Sequence, residues 1–211
     1  MRLLRFILVL PIAAAAGKAD AGYCDTDSAR TQVADVEAFA SGKTKKMPEL
    51  WVLCLEQEIT GNAKLTARFL AACEKAVTVE PKNPQCVSWS IDLGATKLGT
   101  FDLFDAAAKQ FPLEPFGDST GIRLLAKLGD PRGVPLAKDA WLKGEQDKRT
   151  KSQKSNDKYL WSVWRHAAIK LFTSASTAAD VEFLTDARLR TKDASVRRAL
   201  AKAIVAARAR P

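Results

Sequence analysis

The chain has 211 residues, of which 47% are hydrophobic and 27% charged, with four cysteines, a single histidine and a net charge of +9. This apolar fraction excludes a disordered polyelectrolyte and is enough for one domain with a true core or a short array of repeats. One histidine and no Cys-x-x-Cys pair leave little material for a zinc site or a histidine-based active site.

The first 21 residues, "MRLLRFILVLPIAAAAGKADA", hold Arg2 and Arg5, then an apolar run from Phe6 to Ala16, then Ala19-Asp20-Ala21. This layout predicts a secretory signal peptide cleaved before Gly22. The run is well short of the roughly 20 residues that cross a bilayer. Bulky Tyr23 ahead of Cys24 argues against a lipid anchor. The leader carries +2 of the net charge, so the exported chain keeps +7. The expected location is periplasmic or secreted, with no transmembrane span. Four cysteines behind an export signal, Cys24, Cys54, Cys73 and Cys86, then predict disulfides.

Helical periodicity dominates the rest of the chain, and no sustained apolar–polar alternation marks a strand. A first helix is expected over 27–40, with Val33, Val36, Phe39 and Ala40 inward. A second is expected over 48–59, opened by Pro48, with Leu50, Trp51, Leu53 and Cys54 inward. Gly61 and Asn62 separate it from a third over 63–77, apolar at Leu65, Phe69, Leu70, Cys73 and Val77. After the turn "VEPKNP" a fourth runs over 84–98. Laid as an up–down–up bundle, these helices disfavour Cys24–Cys86. Of the three pairings, Cys24–Cys54 with Cys73–Cys86 fits best, though Cys73 sits a turn below its helix end.

A repeat then appears. "TKLGTFDLFDAAAKQF", residues 96–111, aligns with "AKLGDPRGVPLAKDAW", residues 126–141, at an offset of 30. Lys97-Leu98-Gly99 matches Lys127-Leu128-Gly129, Thr100 matches Asp130 as a helix N-cap, and Phe104, Ala107 and Phe111 match Val134, Ala137 and Trp141. Gly129 is expected to end one helix in the left-handed conformation, and Pro131 to open the next. A hairpin of two such helices cannot bury its own apolar face, whereas stacked hairpins can. The stretch Leu128-Gly129-Asp130-x-Arg132-x-Val134, with Leu136 one place early, resembles the HEAT-like repeat of the phycobilisome-lyase type; Gly133 and Pro135 depart from that pattern. "DASVRRALAKAIVAA", residues 193–207, resembles more loosely the first helix of such a unit. A second resemblance is to the tetratricopeptide repeat, through "CEKAVTVEPKNPQC" and the 34-residue spacing of Pro81 and Pro115. Both imply an all-α fold, a short α-solenoid of stacked antiparallel helical hairpins with no β-sheet.

"LKGEQDKRTKSQKSNDK", residues 142–158, has no aliphatic residue after Leu142 and reads as a flexible basic linker over 143–157. It would divide a disulfide-stapled block over 22–142 from a C-terminal block over 158–211. Lys148, Arg149, Lys151, Lys154 and Lys158 are its candidate contacts to an anionic partner. No aromatic residues interleave with these charges, which disfavours nucleic acid. Beyond it, "YLWSVWRHAAIKLF" places Leu160, Trp164, Ala167, Ala168 and Leu171 on one helical face. Trp161 and Arg165 lie to one side, as core packing or as a partly exposed anchor for a protein partner. His166 on an alanine-rich helix, and Glu56 and Glu58 facing different ways, do not make an acid–base pair. The sequence therefore predicts a non-enzymatic, cofactor-free scaffold that binds another protein. The alternative is an envelope-associated structural protein whose basic surface meets anionic polymer or lipid.

Overall fold

The computed structural model describes residues 34–35, 37–45, 63–79, 84–152 and 154–211. The leader, Cys24, Cys54 and the helix expected over 48–59 lie outside them. So does most of the first helix, of which residues 34–35 and 37–40 are helical.

Eight longer helices make up the remainder: α1 (Ala63–Val79), α2 (Pro84–Asp92), α3 (Leu103–Gln110), α4 (Thr120–Leu128), α5 (Gly133–Gln146), α6 (Ser155–Ala175), α7 (Val181–Arg190) and α8 (Ala194–Arg208). The fold is all-α. Each odd-numbered helix packs on the even-numbered one after it, and α2, α4, α6 and α8 pack in succession on one another. The even helices thus form a shared layer along the molecule, a packing consistent with a helical repeat.

The 30-residue offset survives in this packing, because α3 begins at Leu103 and α5 at Gly133. Phe104 and Val134 are buried at matching places, as are Ala107 and Ala137. The two turns ahead of them also match, with Gly99 at φ +58° and Gly129 at φ +60°, the left-handed region that glycine enters without a Cβ penalty. Gly129 N–H donates to the Leu125 carbonyl and closes α4 as expected.

Several expectations require correction. The fourth helix stops at Asp92, not Leu98. Gly94, at φ +85°, donates to Ile91 O while Ala95 N–H donates to Ser90 O, the paired bonds of a Schellman helix end. The freed residues form a small antiparallel ladder, with Lys97 opposite Asp102 and Leu98 opposite Phe101, so the chain is not devoid of β-structure. The cap of α3 is Asp102 rather than Thr100; its Oδ1 accepts from Phe104 N at 2.8 Å. Asp130 accepts from Arg132 N at 2.9 Å, and α5 starts at Gly133, after Pro131. Residues 193–207 form the second helix of the last pair, not a first one, with Asp193 capping through Ser195 N and Val196 N.

The linker expected over 143–157 is also largely ordered. α5 continues to Gln146, a 3-10 turn covers Lys148–Lys151, and α6 starts at Ser155. What the composition conceals is local bonding. Asp147 Oδ1 accepts from Arg149 N at 2.8 Å, Thr150 Oγ1 donates to Gly144 O, and the Arg149 guanidinium lies 4.5 Å from the Phe116 ring centre. One hydrophobic cluster runs from Phe39 to Ala207 and spans both expected blocks. Cys73 and Cys86 stand at disulfide distance with Cα atoms 5.3 Å apart, tying α1 to α2.

Arg132 fastens the turn before α5 to the start of α3. Its guanidinium donates to Asp102 at 2.9 Å, Asp105 at 3.2 Å and Asp130 at 2.7 Å, and lies 4.3 Å from the Phe104 ring centre. Burial pushes the Asp102 carboxyl up, but the Arg132 hydrogen bond and the N–H groups of Phe104 and Asp105 outweigh it and hold it below 3.8. Arg132 holds Asp130 below 3.8 as well, against a smaller effect of burial. Carboxyls depressed in the folded state stabilise it above their unfolded pKa, and that stability is lost as pH falls through the folded value. Arg132→Ala is therefore expected to lower the melting temperature at pH 7, with the gap from wild type narrowing as pH falls below the ordinary carboxylate value and through the depressed folded ones. Circular dichroism melts across this range check it; a gap independent of pH would assign Arg132's role to packing on Phe104 alone.

Candidate functional site: a basic cleft beside α6

The candidate residues on either side of the expected linker converge in space. The 3-10 turn folds back along the first turns of α6, and the α7–α8 connection reaches the same place. Between them lies a cleft of about 780 Å³. Arg149, Lys151, Lys158, Arg165, Arg190 and Lys192 line it, against three carboxylates, Glu145, Asp157 and Asp193.

Its floor is aromatic. Trp161 is 6% exposed, which fits the core-packing reading of its position and not that of an exposed anchor. It stacks on Phe116 at 5.6 Å and Trp164 at 5.7 Å, and meets Trp141 at 5.7 Å. These rings are held because α6 presents residues 161, 164, 168, 171 and 172 to α4, α5 and α8. A rigid, water-excluding floor strengthens electrostatic interactions above it.

Arg165 is the deepest cation, with its side chain 13% exposed. It lies 5.1 Å from the Trp161 ring centre, donates to Thr191 Oγ1 at 3.1 Å and to Asp193 Oδ2 at 3.3 Å, and its buried Nε has no partner among the described residues. Burial pulls its pKa down, against Asp193 and Glu145, which favour the charge. Asp193 sits below the ordinary carboxylate value: burial raises it, but Ser195, the helix N–H groups and Arg165 prevail. Arg190 donates to Glu145 Oε2 at 3.0 Å, while Glu145 Oε1 accepts from Trp141 Nε1 at 2.8 Å. Arg190 also donates to Asp186, and Arg149 donates to Asp147 Oδ2 at 2.8 Å, so carboxylates hold all three arginines in place. Lys151 and Lys192 are exposed and have no ion-pair partner among the described residues.

Of the expected contacts, Arg149, Lys151, Lys158, Trp161 and Arg165 belong to this cleft. Lys148 and Lys154 do not; with Arg149 they border a shallower hollow around Asp147. The Arg149 hydrogen bond brings the Asp147 carboxyl down to about 2. Sequence reasoning misses Arg190, Thr191, Lys192 and Asp193. The available signal is the "RLRTKD" run between two helical patterns, which spacing alone marks only as a helix boundary. His166 lies outside the cleft, with Nδ1 2.7 Å from Ser162 O and Nε2 3.5 Å from Ser195 Oγ. Ser195 Oγ instead donates to Asp193 at 2.7 Å, which makes it part of a helix cap.

Among the described residues, no group of three or more His, Cys, Asp or Glu could hold a metal ion, and no helix is long and apolar enough to cross a membrane. No known protein-family model, curated protein or solved structure matches the chain.

Proposed function

We propose that this chain is an exported, non-enzymatic helical repeat protein of the HEAT-like type that binds another protein by taking an acidic segment of it into the cleft beside α6. The observation that carries this reading is the gathering of six cations and three carboxylates around one concave site from three separate stretches of chain. The 30-residue spacing of α3 and α5 supports the HEAT-like assignment over the tetratricopeptide one, and the continuous layer of even helices fits a stacked repeat of either type. The Arg2–Ala21 leader supports export.

The sign pattern favours a peptide over a uniformly charged polymer. A phosphate- or sulfate-rich chain has only acceptors to offer and gains nothing from Glu145, Asp157 and Asp193. A peptide places carboxylates on the guanidinium and ammonium groups, and its backbone N–H groups on the acids. The mechanism is equilibrium binding, with no covalent step.

The test is calorimetric titration of the full chain with a short oligoglutamate at low salt. Lys151→Gln/Lys192→Gln removes two exposed charges without touching the core, and is expected to weaken binding about tenfold, with affinity falling further as salt rises. Binding unchanged in this variant would remove the cleft from consideration.

A further inference from the structure

A second depression adjoins the cleft on the other side of the α6 crest. It is a groove of about 520 Å³ between α4 and α6, with Arg123, Lys127 and Lys170 as its cations and Tyr159 at its rim. No carboxylate lines it. Tyr159 is 65% exposed, the largest aromatic surface that the described residues offer to solvent. Successive residues of α6 divide between the two sites: Lys158, Trp161 and Arg165 line the cleft, whereas Tyr159, Val163 and His166 line the groove. Ser162 lines both, so the depressions meet there.

The two halves differ in a way that fits one ligand. The cleft is of mixed sign and has fixed arginine forks, which suits a segment with its own polar backbone and a few carboxylates. Lys127 is held by Asp92 at 2.5 Å, so the charge the groove offers lies on Arg123 and Lys170, and the groove runs along α6 from Tyr159 to Lys170, about 17 Å at 1.5 Å per residue. We infer that the partner segment is an extended acidic peptide of about ten residues, which spans about 35 Å and occupies cleft and groove together across Ser162. This inference rests on the proposed role of the cleft. It adds a second subsite, a minimum ligand length and an aromatic contact at Tyr159. Tethering the second half of the ligand to the first converts its binding into an intramolecular step, so length alone raises affinity.

The probes are fluorescein-labelled oligoglutamates of about four and about ten residues, with an oligoglutamine of the longer length as the neutral control, read by anisotropy at low salt. Wild type is expected to bind the long oligoglutamate at least about tenfold more tightly than the short one, and the oligoglutamine not at all. Arg123→Gln/Lys170→Gln changes two exposed side chains. It is expected to remove most of the long-peptide advantage and to leave the short peptide within about twofold of wild type. Lys151→Gln/Lys192→Gln is expected to weaken both peptides. Matching melting temperatures establish that each variant is folded. If the groove variant leaves the long peptide unchanged while the cleft variant weakens it, the two-site inference is overturned and the cleft reading stands. If the cleft variant changes neither peptide, both fall. If neither oligoglutamate binds but vesicles rich in anionic lipid sediment the chain and lose it in the groove variant, the face meets a membrane surface and the peptide assignment is overturned.

Discussion

Trp141→Ala is expected to destabilise the fold by about 3–5 kcal/mol, the cost of truncating a fully buried aromatic residue. Trp141 is 0% exposed and its ring centre lies 5.7 Å from Trp161, 6.4 Å from Trp164 and 6.0 Å from Phe172. It joins α5 to α6 at the centre of the cluster, where neither neighbouring helix can collapse into the void without giving up its own contacts. The substitution also releases Glu145, which Trp141 Nε1 holds at 2.8 Å and which in turn receives Arg190 at 3.0 Å. Loss of stability and loss of cleft binding should therefore appear together. Trp141→Phe keeps most of the packing and removes only the hydrogen bond, which separates the two effects. Urea unfolding followed by far-ultraviolet circular dichroism measures them. A loss below about 1 kcal/mol for the alanine variant would mean that the cluster is not one continuous core.

Gly144→Ala is expected to destabilise as well, although glycine inside a helix is normally improved by alanine by about 1 kcal/mol. A Cβ at Gly144 would stand 2.5 Å from Trp161 Cζ3, 2.7 Å from Cη2 and 2.9 Å from Pro115 Cβ. Neither neighbour gives way easily. Trp161 is clamped between Phe116 and Trp164, and proline has no rotamer to change. Overpacking of this kind costs about 1–3 kcal/mol and exceeds the propensity gain at all but its lower limit. The sign of the change is decisive: a stabilised variant would show that α5 and α6 do not approach this closely. Displacement of Trp161 would also shift tryptophan fluorescence and weaken peptide binding, because this ring is the cleft floor.

The fold is legible in the sequence wherever apolar spacing and turn chemistry agree. The third helix, the left-handed end at Gly129 and the 30-residue offset of Phe104 and Val134 all derive from those two signals. Spacing fails where a short polar stretch orders itself through specific bonds. Asp147, Arg149 and Thr150 carry no hydrophobic periodicity, yet they hold the 3-10 turn against Gly144 and Phe116. The same limit hides half of the cleft. Lys151 and Arg165 stand out as cations beside an aromatic helix, but only the packing of α8 on α6 brings Thr191, Lys192 and Asp193 to meet them. Trp161 looks available on one helical wheel, which cannot show that Phe116, from a connection between other helices, covers it.

The most direct measurement is nuclear magnetic resonance mapping of the ¹⁵N-labelled full chain titrated with the short oligoglutamate. Binding in the cleft predicts that the largest amide shifts fall together on residues 149–151, 158–165 and 190–193, and that they shrink as salt is raised. Shifts of equal size scattered over lysines and arginines around the whole molecule would contradict a built site and leave only a general attraction between a basic protein and an acidic chain.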